Sequence, residues 1–143
     1  MVVLPTIILA GCATAPSYQA KAIDRSDGAM VRGWASGTFA FFAYAEIETV
    51  DGLPLSIWSQ TGGGWLVDPG VRLLGVAGTY VGLFGERDTG RVELEATLRA
   101  GRSYRVKAER DGENMTLWVE DVETREPVSE RRSARTTRWI KWL

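Results

Sequence analysis

From Ala29 onward, apolar residues recur at every second position in short runs broken by Gly, Asp-Gly and Pro-Gly, a period that predicts strands and not helices. The clearest run is Arg91–Arg99, where Val92, Leu94, Ala96 and Leu98 fall on one face and Glu93, Glu95 and Thr97 on the other. Ala100-Gly101-Arg102 then turns the chain into Ser103–Glu109, where Tyr104, Val106 and Ala108 alternate again. Asp111-Gly112 is a hairpin signal, and Met115–Asp121 returns with Trp118 at its centre. Upstream, Phe39–Val50 is rich in aromatic and β-branched residues and stops at Asp51-Gly52. Leu55–Gln60, the Gly62-Gly63-Gly64 loop, Trp65–Val67, the Asp68-Pro69-Gly70 turn and Val71–Ala77 complete the series. Roughly seven strands with turn signals every 8–12 residues predict an all-β protein, a single antiparallel β-sandwich over residues 29–130.

The residues before Ala29 follow another pattern. Val2–Ala10 is an apolar run with Pro5 inside it, and Leu9-Ala10-Gly11 brings small residues up to Cys12, the single cysteine of the chain. This arrangement resembles the lipobox of bacterial lipoproteins. The resemblance implies that residues 1–11 are a signal segment, that Cys12 carries a thioether-linked diacylglycerol after cleavage, and that a membrane holds the protein through this anchor. Ala13, not Asp, after the cysteine implies the outer membrane, facing the periplasm. No Lys or Arg precedes the apolar run, which fits a start upstream of Met1. The run is also far shorter than the ~20 apolar residues of a spanning helix. Ala13–Asp27 is small and polar with little periodicity, and residues 12–28 read as a tether. One cysteine permits no intrachain disulfide, and acylation would leave no free thiol in the oxidising compartment.

Three further stretches carry a second resemblance: Val67-Asp68-Pro69-Gly70-Val71-Arg72, Ala100-Gly101-Arg102-Ser103-Tyr104-Arg105-Val106 and Trp118-Val119-Glu120-Asp121. Together they are similar to a pattern in small bacterial lipoproteins of unknown function with transthyretin-like or PEGA-like β-sandwich domains. The similarity spans about Ile47 to Asp121, with Arg72 at the family's usual charged or His position. It implies fold and envelope location. It implies no active residues, because the matching positions are hairpin corners and aromatics.

Composition narrows the chemistry. The 143 residues include no histidine, which removes Ser-His-Asp and Cys-His catalysis and His-containing zinc sites. Gly62-Gly63-Gly64 runs into Trp65 and not into Lys-Ser/Thr, so it is a hairpin loop and not a phosphate cradle. Glu46/Glu48 and Glu93/Glu95 each place two carboxylates on one strand face. That spacing could serve acid/base work or bind calcium, but each opposite face is apolar, so the pairs read as solvated. The expectation is a protein that is no enzyme, with no cofactor and no metal. A hydrolase resting on converging carboxylates is a distant third reading. Net charge is −1 and the basic residues concentrate late, at Arg131, Arg132, Arg135, Arg138 and Lys141, so no nucleic-acid partner is expected.

Six tryptophans are many for this length. Trp118 and Tyr104 fit the core pattern. Trp58, Trp65, Tyr80 and Phe84 flank Gly-rich loops, where they either plug the open ends of the sandwich or form a binding patch. In the segment 131–143, Arg138, Trp139, Lys141 and Trp142 suit contact with an anionic membrane or an acidic partner. The alternative is an edge strand whose arginines keep it soluble. The functional expectation is a lipid-anchored binding or scaffolding module of the bacterial envelope with an envelope protein partner; the alternative is a small-ligand or glycan binder using the loop aromatics.

Overall fold

The computed structural model describes residues 16–37, 42–56, 60–61 and 63–139. Cys12, Trp58, Lys141 and Trp142 lie outside the described residues, as does the side chain of Trp139.

The described chain is all-β, with two mostly antiparallel sheets built from twelve strand segments: β1 (Ala29–Arg32), β2 (Trp34–Gly37), β3 (Phe42–Val50), β4 (Leu53–Pro54), β5 (Gln60–Thr61), β6 (Gly64–Val67), β7 (Gly70–Val81), β8 (Arg87–Leu98), β9 (Ser103–Asp111), β10 (Asn114–Asp121), β11 (Arg132–Arg135) and β12 (Thr137–Trp139). The first sheet runs β11-β10-β9-β1-β6-β5 and the second β12-β8-β7-β3-β2, with β4 on β3. One pairing departs from the expected antiparallel order: β1 lies parallel to β9, with Val31 opposite Tyr104. Two pieces of chain pass directly from sheet to sheet, β1 into β2 through Gly33 and β11 into β12 through Thr136. A side chain at Gly33 would stand 2.8 Å from the Ala45 carbonyl oxygen, so the first crossing needs glycine.

The alternation reads out as expected along β8 and β9. Leu94, Ala96, Leu98, Tyr104, Val106 and Ala108 are all buried in one core cluster, with Val92 packed against it. Asp51 and Gly52 both take positive φ (50° and 80°), the signature of a two-residue type I′ hairpin joining β3 to β4. The strands of the central hairpin outrun their patterns. β7 continues four residues past Ala77, and β8 begins four residues before Arg91. Gly78 and Gly90, just outside those patterns, face each other across the ladder. Trp118 also departs from expectation. It is buried, but Met115, Leu117 and Val119 are the β10 residues in the core cluster, so Trp118 lies on the sheet's other face beneath Arg131 (4.1 Å).

Residues 16–28 are docked and not a free tether. Tyr18 is 6% exposed and joins the core cluster. Its hydroxyl donates to Asp68 Oδ2 (3.0 Å) and accepts from the Asp68 amide (2.9 Å), while the Lys21 and Ala22 amides donate to the same carboxylate. Burial opposes the Asp68 charge, but these amide and hydroxyl bonds outweigh it and hold the carboxyl below its ordinary range. Burial is also the main reason the Tyr18 phenol is pushed up to about 12 from 10.0.

A phenol whose pKa is raised on folding adds stability below its unfolded value and loses it as pH climbs through the folded one. Thermal stability is therefore expected to fall between about pH 10 and 12, with Tyr18→Phe removing most of that slope. Melting curves across alkaline pH test this; an identical slope in both proteins contradicts it.

Candidate functional site

A groove of about 830 Å³ opens where β8 parts from the segment that follows β10. β7 covers one edge of β8 along its whole length, but β12 covers the other edge only at Arg87–Thr89. Beyond that point the chain from Val122 to Arg131 crosses the opening. It touches β8 through the Ala96–Ser129 bridge and the Thr97 amide donating to the Val128 carbonyl (3.3 Å). Arg132 Nη1 donates to the Glu93 carbonyl (3.1 Å). Glu93, Glu95, Glu126 and Glu130 line the groove against Arg99, Arg102 and Arg132, and Leu73, Pro127 and Val128 add an apolar part. The Glu93/Glu95 pair thus stands on exposed positions, as its alternation predicts, yet at the wall of a concavity. The sequence carried no signal for this, because the opposing wall comes from a segment remote in the chain.

Asp121, at one end of the groove, is fully engaged. Oδ1 accepts the Glu123 and Thr124 amides (2.8 and 3.0 Å), and Oδ2 accepts Arg102 Nε (3.1 Å). Burial works against its charge, but the two amides and Arg102 win and keep the carboxyl below its usual range. Asp121 therefore closes the turn that launches the crossing segment. A general acid needs the opposite, a carboxyl held protonated near neutral pH. Glu48, of the other sequence-predicted pair, bonds Arg91 Nε (2.9 Å). Among the described residues no group of three metal-ligating side chains converges.

Trp65, Tyr80 and Phe84, the described members of the candidate aromatic patch, are scattered across the fold. Trp65 pairs with Val31 on β1, packs on the core and belongs to the first sheet. Tyr80 belongs to the second, packs on the core and lies under Arg110 (4.3 Å). Val31 is level with Tyr104, six residues before Arg110 on β9, which sets Trp65 and Tyr80 about 20 Å apart along the strands. Phe84 stands at the tip of the β7–β8 hairpin, 90% exposed. These three do not line one hollow.

No known protein family, curated protein or solved structure matches the chain. The geometry has to stand by itself.

The described C-terminal residues are mostly strand. Residues 132–135 and 137–139 are β11 and β12, so most of the described part of the basic tail belongs to the sheets. The Arg138 side chain is 57% exposed, yet its guanidinium is engaged. Its Nε and Nη2 grip Asp88 Oδ1 (2.9 Å) and Oδ2 (3.2 Å), and Arg110 Nη2 adds a third bond to Oδ2 (2.8 Å). The Asp88 side chain is only 3% exposed, and the Arg138 bonds chiefly hold its carboxyl below the usual range. Trp139 pairs through its backbone with Arg87.

A carboxyl with a lowered folded pKa stabilises above its unfolded value, about 3.9, and loses that contribution as pH falls through the folded one. Asp88→Asn is expected to lower stability at pH 7 by about 1.5–3 kcal/mol, the scale of hydrogen bonds to charged groups. The deficit should shrink below about pH 4, where wild-type Asp88 also becomes protonated. Denaturant melts at both pH values measure it; a deficit that is the same at both contradicts the assignment.

Proposed function

We propose that the protein is a lipid-anchored binding module of the bacterial envelope, held through Cys12 at the periplasmic face of the outer membrane, with a sandwich-like β-domain that engages an envelope protein partner. The observation that carries the binding part is the mixed-charge groove beside β8, of about 830 Å³ and walled by Glu93, Glu95, Glu126, Glu130, Arg99, Arg102 and Arg132. Such a groove suits an extended peptide segment bearing both signs of charge. The half-open edge of β8 offers backbone hydrogen bonds, and the flanking side chains select by charge. A non-catalytic role accords with Asp68, Asp88 and Asp121, whose carboxyls are all held ionised by structural partners.

The anchoring part rests on Leu9-Ala10-Gly11-Cys12. The docked segment adds a geometric consequence. Four peptide steps from Cys12 to Pro16 span at most about 14 Å, so an acylated Cys12 would keep the Tyr18 end of the domain near the membrane. The groove, lined by Arg99, Arg102 and Asp121 at the end of β8, the start of β9 and the end of β10, lies toward that same end. The Leu83–Phe84 tip would point away from the membrane.

Cys12→Ala is expected to move the protein from the membrane to the soluble fraction and to abolish labelling by a palmitate analogue. Equal membrane association of the variant overturns the anchor. A photo-crosslinking residue at Thr97, in the groove, is expected to give a discrete adduct in intact cells that the same residue at Arg25 does not. Indistinguishable patterns at the two positions overturn the groove assignment.

A further inference from the structure

The outer face of the first sheet carries a group of cations for which neither the groove nor the anchor accounts. Val31 faces the core, so its neighbour Arg32 faces outward, directly opposite Arg105 on the parallel strand β9. Like charges in directly opposed positions repel, whereas an opposite charge there would stabilise the pair. Glu120 stands across from Arg105 on β10, but it is drawn elsewhere. One oxygen lies 3.9 Å from Lys107 Nζ and the other accepts Trp118 Nε1 (3.3 Å). Neither Arg32 nor Arg105 forms an ion pair among the described residues. The Arg32 Nε is moreover shielded from solvent and has no hydrogen-bond acceptor among the described residues. A buried donor left unpaired beside a second unneutralised guanidinium is a stability cost that folding by itself does not explain.

The surroundings hold this pair in place. Gly64 is opposite Arg32 on β6, and a Cβ there would come within 2.9 Å of Arg32 Cγ, so glycine lets the arginine stem lie against the sheet. Two positions further along, the face continues as alternating cations and rings. Arg131 covers Trp118 (4.1 Å), Trp118 faces Lys107 across the ladder, and Lys107 covers Trp34 (5.1 Å). The groups facing this area are thus Arg32, Arg105, Lys107 and Arg131, with Glu120 as the adjoining carboxylate and Glu109 in the row beyond. In a chain of net charge −1, that concentration of cations is local and not a general property of the surface.

We propose that Arg32 and Arg105, supported by Lys107, form a binding site for a phosphate-type oxyanion. A guanidinium edge presents Nε–H and Nη–H as a fork matched to two oxygens of a tetrahedral anion. Two such forks side by side neutralise a divalent group and remove their mutual repulsion. The anion can be a lipid headgroup phosphate or a phosphate on a soluble molecule. The recognition chemistry is the same, and the site stands whether or not Cys12 is acylated.

The test uses the full chain with Cys12→Ser, so that no acyl chain contributes to binding. Inorganic phosphate is titrated by calorimetry and tryptophan fluorescence against chloride at matched ionic strength. Saturable binding is expected, weakened at least tenfold by Arg32→Gln, by Arg105→Gln and by Arg32→Lys, which keeps the charge but loses the fork. Gly64→Ala should weaken it as well by displacing the Arg32 stem. The arginine-to-glutamine variants should melt no lower than the parent in phosphate-free buffer, because each removes a repulsion. A purely structural arginine would show the reverse. Vesicles of phosphatidylglycerol in phosphatidylcholine then separate the sources. Arginine-dependent sedimentation with these vesicles assigns the site to headgroups, and arginine-dependent binding of phosphate without sedimentation assigns it to a soluble phosphate. Phosphate and vesicle binding both absent, or both indifferent to Arg32 and Arg105, overturns the proposal.

Discussion

The distance between the two sheets is set where Gly78 and Gly90 face each other. A Cβ on Gly78 would lie 3.0–3.1 Å from Met115, Ala108 and Leu117, and one on Gly90 would lie 2.9 Å from Met115 Cβ. The side chains of the first sheet therefore rest on bare backbone of the second. Interiors pack to crystal-like density, and any added methyl here would force the sheets apart. The rest of the architecture depends on this approach. It brings β11 close enough to continue as β12 in the other sheet, and it lets Arg110 of one sheet reach Asp88 and Tyr80 of the other.

The same constraint locates the groove. Near Gly90 the sheets are close and β12 closes the margin of β8. Further along β8, larger side chains (Leu94, Leu98, Tyr104) fill the interior, and the margin is spanned only by the crossing segment. An open strand edge is a hazard for aggregation, commonly guarded by charge. Glu93, Glu95 and Arg99 provide that guard, and the same charges give the groove its chemical character. Protection of the edge and selection of a partner use one set of side chains.

The ionic interactions divide into two kinds. Asp88 and Asp121 are buried and Asp68 is half-buried; each is satisfied by several donors and joins segments distant in sequence: the N-terminal segment to β6–β7, the C-terminal strand to the hairpin, and the crossing segment to β9. They act as rivets. The exposed pairs, such as Arg135–Glu113 and Arg132–Glu130, contribute little to stability because solvent screens them. Arg32 and Arg105 fit neither kind, and that exception marks them out.

The sequence carried the all-β class, the main core faces and the tight turns. A period of two assigns Leu94, Ala96, Leu98, Tyr104 and Val106 to one side whatever the strands pair with, and Asp51-Gly52 demands its turn from local backbone sterics. Its local reading failed where meaning depends on a neighbour. Gly78 and Gly90 fall outside the alternating runs, and their place under Met115 shows only in the fold, while Trp118 reads as core until Arg131 and the neighbouring strands place it on the opposite face. The aromatics near the glycines could be read as end plugs or as a patch, and pairing sends Trp65 and Tyr80 to different sheets. Only the tertiary structure decided that Arg138 belongs to Asp88, that Tyr18 docks on Asp68, and that Arg32 stands beside Arg105. Each contact joins residues some fifty or more positions apart. Periodicity is a property of a few consecutive residues, whereas a groove or a charge cluster is a property of which strands are neighbours, and no local pattern encodes that.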